Sequence, residues 1–231
     1  MISIIIPTLN EAENLERLLP YLKKCCDGKE HEIIVSDCGS TDNTRETAER
    51  FGAKVVLSSC KSRAMQMNAG AAVAQFKIFY FVHADTFPPD TFCDDILSAV
   101  ESGYDLGRYR TKFAGNKLLL KLNAYFTRFD WFMCYGGDQT LFLCQWLFKT
   151  VNGFNETMKI MEEYDFVKRA RQYGRYKIFG KTALVSIRKY KSNSWFKVQR
   201  ANYIAMKMFK NRHSQQEIVE RYSQLLSGTK K

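Results

Sequence analysis

No run of apolar residues in this chain approaches the roughly 18 that a membrane-spanning helix needs. The first residues lack the charged region and small-residue cleavage site of a secretory leader. Seven cysteines form an odd set without a C-x-x-C pair, which argues against a disulfide framework and a zinc knuckle alike. A reduced, cytoplasmic protein is the expectation. Internal repeats, low-complexity tracts and linkers are also missing, so residues 1–231 read as a single domain. Within it, residues 1–102 and 103–190 form two halves packed together, and 191–231 a basic helical tail. Acids are missing from one long stretch: Phe166 to Gln216 holds no Asp or Glu against 14 Lys plus Arg. The chain's net charge is +11, so everything else carries −3. Glycine and basic residues are absent from Pro7–Glu11, the turn after the first strand. That counts against the triphosphate loop of nucleotidyltransferases and against a Rossmann dinucleotide turn.

What is present supports a substantial interior, since 45% of residues are apolar and 14% aromatic. Over the first hundred residues strand and helix signals alternate, which predicts α/β architecture around a mostly parallel sheet flanked by helices. Strands are expected at Ile2–Ile6, Glu32–Ser36, Lys54–Ser58 and Ile78–Val82. Asn10 with Glu13 resembles a capping box, and Leu15, Leu18, Leu19 and Leu22 then share one helical face. A second helix starts near Asp42 and stops at Gly52; others span Ala64–Gln75 and Asp90–Glu101. Beyond Gly103 the expected elements are strand 106–113, helix 117–132, strand 139–144 and helix 163–173. Strands 177–179 and 183–188 follow, then terminal helices 195–210 and 215–226.

Three strand ends carry acids in polar turns: Pro7-Thr8-Leu9-Asn10-Glu11, Asp37-Cys38-Gly39-Ser40-Thr41-Asp42 and His83-Ala84-Asp85-Thr86. Ligands of open parallel sheets collect beyond these carboxyl ends. Asp85 is the metal-ligand candidate, because a carboxylate with diphosphate oxygens and water suits Mg²⁺ or Mn²⁺. Asp37 is placed to accept the imino hydrogen of a pyrimidine, with Thr8 and Glu11 near base and ribose. The alternative for Asp37 and Asp42 is an Asx-type turn and a helix cap. Arg63, ahead of a helix, suits phosphate oxygens or serves as a surface arginine. His83 reads more readily as a satisfied core histidine than as a ligand.

In Met161-Glu162-Glu163-Tyr164-Asp165-Phe166, helical spacing puts Glu163 on the face of Phe166, Val167 and Ala170. Glu162 lies with Asp165 and Arg169. Glu163 is therefore the carboxylate expected to enter a cleft and take a proton from a hydroxyl. Otherwise, acids there merely oppose the helix macrodipole. Gly137-Asp138-Gln139 either lines an acceptor pocket or joins two elements.

Together these segments resemble the family 2 glycosyltransferases, with the nucleotide-sugar fold called GT-A, and among them the radical-SAM/selenodomain-associated transferase 2 subgroup. The likeness covers about residues 1–190. It rests on Ser3–Glu11, Val35–Asp42, Arg63–Ala71, His83–Thr86, Gly137–Gln139 and Met161–Glu163. It implies transfer of a sugar from a nucleotide-diphosphate sugar to an acceptor hydroxyl, with metal dependence and inversion. Residues 1–102 would be the nucleotide-sugar half and 103–190 the acceptor and catalytic half. Pro7, Thr8, Glu11, Asp37, Arg63, His83 and Ala84 would bind the nucleotide sugar, and Gly137, Asp138 and Gln139 would lie on the acceptor side. The family's D-x-D metal motif reads His83-Ala84-Asp85 here, so only Asp85 carries over. Its Glu-Asp catalytic pair reads Glu162-Glu163, with Glu163 as the base.

Two other readings compete. A nucleotidyltransferase shares core and metal chemistry. In the tail, Trp195, Phe196, Tyr203, Met208 and Phe209 interleave with Lys197, Arg200, Lys207, Lys210 and Arg212. Such a helix could lie on an anionic bilayer and serve a lipid-linked acceptor at the inner membrane face; nucleic acid is disfavoured. Alternatively its aromatics pack on the core and its cations face water.

Overall fold

Uninterrupted apolar runs make the centre of the sheet, as strands covered by helices on both faces require. In the computed structural model, which describes residues 1–59, 62–115, 117–135 and 140–227, β1 (Ile2–Thr8) is buried at every position. It pairs in parallel with β2 (His31–Asp37) on one side and β4 (Ile78–Phe81) on the other. Beyond β2 lies β3 (Lys54–Leu57), also parallel. The chain thus builds outward through β1, β2 and β3, then jumps back to place β4 against β1. That reversal opens a crevice at the carboxyl ends of β1 and β4.

The second half continues the same sheet. With β5 (Thr86–Phe87), β6 (Leu106–Phe113), β7 (Leu141–Cys144) and β8 (Tyr176–Val185), the order is β3-β2-β1-β4-β7-β6-β8-β5. β7 is antiparallel to both β4 and β6, β6 is parallel to β8, and β5 closes the edge antiparallel to β8. The expected α/β, GT-A-like sheet is therefore parallel through β3-β2-β1-β4 and mixed beyond.

Side-chain alternation along β1 divides the core. Ile2, Ile4 and Ile6 face one cluster with Leu15, Leu18, Leu19 and Leu22 of α1 (Ala12–Cys25). Helices α2 (Thr44–Arg50) and α4 (Phe92–Glu101) add Ala48 and Ile96 to that layer. Ile5 faces the opposite cluster, with Met67 of α3 (Arg63–Ala72), Leu147 of α6 (Gln145–Thr150) and Phe166 of α7 (Glu162–Ala170). Helix α3 approaches β1 so closely that a Cβ on Gly70 would lie 2.4 Å from Ile5 Cγ2.

Several expected elements differ. Asn10 and Glu13 form no capping box: Asn10 adopts a left-handed φ of 55° and its Oδ1 accepts the Thr41 N–H at 2.8 Å. Helix α2 starts at Thr44, and Asp42 instead accepts the Thr44 N–H at 3.0 Å. The helix expected at 117–132 stops early as α5 (Leu118–Phe126). There Thr127 turns its hydroxyl onto the Ala124 carbonyl, and Arg108 binds the Thr127 and Phe129 carbonyls. Strands expected at 177–179 and 183–188 are one strand, β8, because it pairs with β6 on both sides of a register shift that spans Gly180. Arg188 opens α8 (Arg188–Ser192) instead of ending that strand. Short elements β5, α6 and α8 were not anticipated. The tail forms α9 (Trp195–Lys210) and α10 (Gln215–Ser227). No helix among the described residues is long and apolar enough to cross a membrane.

Candidate functional site

The floor of the crevice is set by the ends of β1 and β2. Asp37 is fully buried. Its Oδ1 accepts the backbone N–H groups of Gly39 and Ser40 at 2.9 and 3.0 Å. Its Oδ2 accepts the Ser40 hydroxyl and, at 3.4 Å, that of Thr8. Gly39 supplies the φ of 85° this turn needs. The Asx-type turn is thus real, and any base recognition by Asp37 must share a carboxylate already committed to it. Buried Gln66 ties the two strand ends together, donating to the Thr8 carbonyl at 2.6 Å and the Ser36 carbonyl at 2.9 Å.

Above this floor a line of charges runs from one strand end to the next. The Glu11 N–H donates to Thr44 Oγ1 at 2.9 Å, holding Glu11 at the crevice rim. Arg188 places Nη2 2.8 Å from Glu11 Oε1 and 3.5 Å from Asp85 Oδ2. Two residues back from Asp85, His83 Nε2 lies 3.1 Å from Glu163 Oε1. Ala84 between them is buried. Next to Glu163, Glu162 meets Arg63 Nε at 3.4 Å. His83 is thus largely buried with its ring hydrogen-bonded, as a satisfied histidine is. It connects the metal-candidate turn to the acid pair on α7.

Both α7 acids are buried, with side chains 4% and 7% exposed for Glu162 and Glu163. Helical-face reasoning put only Glu163 in a cleft; the fold buries Glu162 as well, because the cleft continues around the helix start. Met161, just before α7, takes a left-handed φ of 68°, an uncommon conformation for a non-glycine residue. That bend delivers both acids from the first helical turn, where the macrodipole favours them. Burial pushes the Glu162 carboxyl above the usual carboxylate range; Arg63 pulls it down and Glu163 pushes it further up. Glu162 and Glu163 form the floor of a cavity of about 520 Å³ together with Arg63.

Asp85 fits a hard divalent cation by donor chemistry: a carboxylate 24% exposed at a strand end, beside the oxygen donors of Glu11. Among the described residues no group of three or more His, Cys, Asp or Glu is placed to hold a metal. Pro7 is buried within β1. Gly137, Asp138 and Gln139 lie outside the described residues.

Sequence reasoning missed Arg188, Ser40 and Gln66. Gln66 and Ser40 carried no signal beyond their segments. Arg188 had one, standing in an acid-free stretch, but nothing in the sequence shows that β8 delivers it to the β1 and β4 ends.

Residues 3–152 match the family model described as glycosyl transferase family 2. Among curated relatives, a dolichol-phosphate mannosyltransferase of Pyrococcus furiosus is 30% identical over 110 residues, spanning 46% of this chain and 31% of that protein. This chain therefore matches only about a third of such relatives' length. Its fold is that of the mannosyltransferase PcManGT from Pyrobaculum calidifontis, solved with GDP-Man and Mn²⁺ (TM-score 0.69, 17% identity, 97% of this chain and 69% of that one). It is equally that of S. aureus TarS residues 1–349 in complex with UDP (TM-score 0.67, 17% identity, 97% of this chain and 70% of that one). The matched residues take in the β1, β2 and β4 ends that build the crevice, and the chain belongs to glycosyl transferase family 2.

Proposed function

We propose that this protein transfers a glycosyl group from a nucleotide-diphosphate sugar to an acceptor hydroxyl, with inversion at the anomeric carbon. The observation that carries this reading is the position of Glu163. One side meets His83 and, through its turn, Asp85; the other side forms the floor of an open cavity. A base there stands between a donor crevice and an acceptor chamber.

Thr8, Glu11 and the Asp37 turn hold the nucleoside end, with Pro7 and Ala84 shaping the walls. Asp85 would hold Mg²⁺ or Mn²⁺, which supplies neutralising charge for the departing diphosphate. Arg188 brings a further cation to the same place, and Arg63 one toward the sugar. Glu163 accepts the proton of the acceptor hydroxyl as that oxygen bonds to the anomeric carbon. The carbon's bond to diphosphate oxygen breaks on the opposite face and the electron pair leaves with the nucleoside diphosphate. His83 fixes the Glu163 carboxylate by its hydrogen bond. Gly137, Asp138 and Gln139 contribute on the acceptor side. A thermal-shift screen against UDP-, GDP- and dTDP-sugars with and without Mn²⁺ tests this. One donor that stabilises the fold only with metal supports it, and no response to any nucleotide sugar contradicts it.

A second reading concerns where the acceptor is met. Leu118, Leu122, Trp131, Phe196 and Tyr203 are 46–79% exposed, in or beside segments bearing Lys117, Lys121, Lys197 and Arg200. Apolar side chains among cations suit an anionic bilayer surface. α9 accordingly buries Val198, Ala201 and Ala205 and leaves Phe196 outside. Salt-sensitive pelleting with phosphatidylglycerol liposomes supports this attachment; none at low salt contradicts it.

A further inference from the structure

The cavity over the acid pair is walled by Phe113, Leu122, Phe126, Trp195 and Met206, from β6, α5 and α9. Its volume of about 520 Å³ lies within the range of small-ligand sites. Polar groups also line it, and several of them bond one another. Lys189 Nζ donates to Asn202 Oδ1 at 3.4 Å and to the Tyr222 hydroxyl. Gln199 donates to the Tyr190 hydroxyl at 3.3 Å, and Thr127 holds the Thr111 N–H at 2.9 Å. One buried donor is left over: Trp195 Nε1 has no hydrogen-bond partner among the described residues.

We infer that this cavity binds the acceptor, and that the acceptor is an amphiphilic alcohol: one hydroxyl on an apolar or aromatic body. The inference rests on the transfer reading above and adds the substrate class. A saccharide or polyol would surrender hydration at every hydroxyl, and these predominantly apolar walls return fewer hydrogen bonds than water does. An anionic acceptor would meet Glu162 and Glu163, and the cavity's cations, Arg63 and Lys189, already have partners in Glu162, Asn202 and Tyr222. An apolar body loses nothing on entering, and only its hydroxyl needs to reach Glu163.

Calorimetry on the full chain tests this, with 4-butylphenol as probe and glycerol and maltotriose as comparisons. The phenol is expected to bind at one site at least tenfold more tightly than either polyol. Leu122→Asn and Tyr203→Asn, both at half-exposed wall positions, should each weaken it at least threefold. Both variants should bind nucleotide sugar with Mn²⁺ as the parent does, which also shows that they fold. Polyol binding equal to the phenol, or phenol binding indifferent to both variants, overturns the inference. Donor binding that persists while the phenol fails to bind sinks the acceptor class alone; loss of donor binding from the parent protein sinks the transfer reading. With the donor so identified, turnover of farnesol in phosphatidylcholine vesicles but not of the soluble phenol assigns a lipid source. Turnover of the phenol assigns a soluble one, and turnover of maltotriose alone overturns the class.

Discussion

Glu163 and Glu162 are adjacent in sequence and both buried, yet their partners give them different work. Glu163 faces His83 at 3.1 Å, a partner that orients a carboxylate without neutralising it permanently. Replacing it with Gln should keep donor affinity and lower turnover by about 10²-fold or more, the scale of a lost general base; a rate within threefold of the parent would reassign the base. Glu162 has its pKa raised by burial. The folded form therefore holds its proton at a pH where the unfolded chain, near 4.5, has released it. Stability should fall as pH rises from that value through the raised one, and the slope should shrink in Glu162→Gln, measured by urea denaturation across pH. Equal slopes would mean that Arg63 offsets the burial fully. Arg188 is 62% exposed in its pair with Glu11, so Arg188→Ala should cost under about 1 kcal/mol of stability. The same variant removes a cation competing at Asp85, and calorimetric Mn²⁺ affinity without nucleotide should rise; a fall would place Arg188 in the metal's support.

Among the elements, α3 shows most directly how packing sets up the site. Its small residues Ala69, Gly70, Ala71 and Ala72 let it lie close to the sheet, and Gly70 is where it presses on Ile5. Gly70→Ala should destabilise by about 1–3 kcal/mol, as overpacked positions do. Because Gln66 on the same helix ties Thr8 to Ser36, nucleotide affinity should weaken with it. Unaltered chemical denaturation would show that α3 can shift freely. The parallel strands and α1 were readable because their apolar periodicity is long and local. The early stop of α5, by contrast, depends on Arg108 reaching across from β6 to carbonyls at 127 and 129. No periodicity within 117–132 records that reach. The fusion of two expected strands into β8 likewise depends on β6, which pairs with the chain on both sides of Gly180.

At the scale of the whole molecule, the site joins residues that sequence distance hides. The β1, β2 and β4 ends were visible as three acid-bearing turns, since each strand ends where its apolar run ends. Their junction with α7 was visible only as a motif likeness, and with Arg188 not at all, because β8 and α8 bring it back across 177 residues to Glu11. Charge is divided along the same lines: acids at the crevice, cations in the acid-free stretch that forms α8 and α9. A crevice built this way should bind a nucleotide sugar through a cation, with one protein carboxylate as the main link. Calorimetric titration of the nucleotide sugar found by thermal shift, with Mn²⁺ present, into the parent protein and Asp85→Ala tests that link directly. Saturable binding to the parent, weakened at least tenfold without Mn²⁺, is expected, with metal-independent residual binding in the variant. Equal, metal-dependent affinity in both proteins would contradict it.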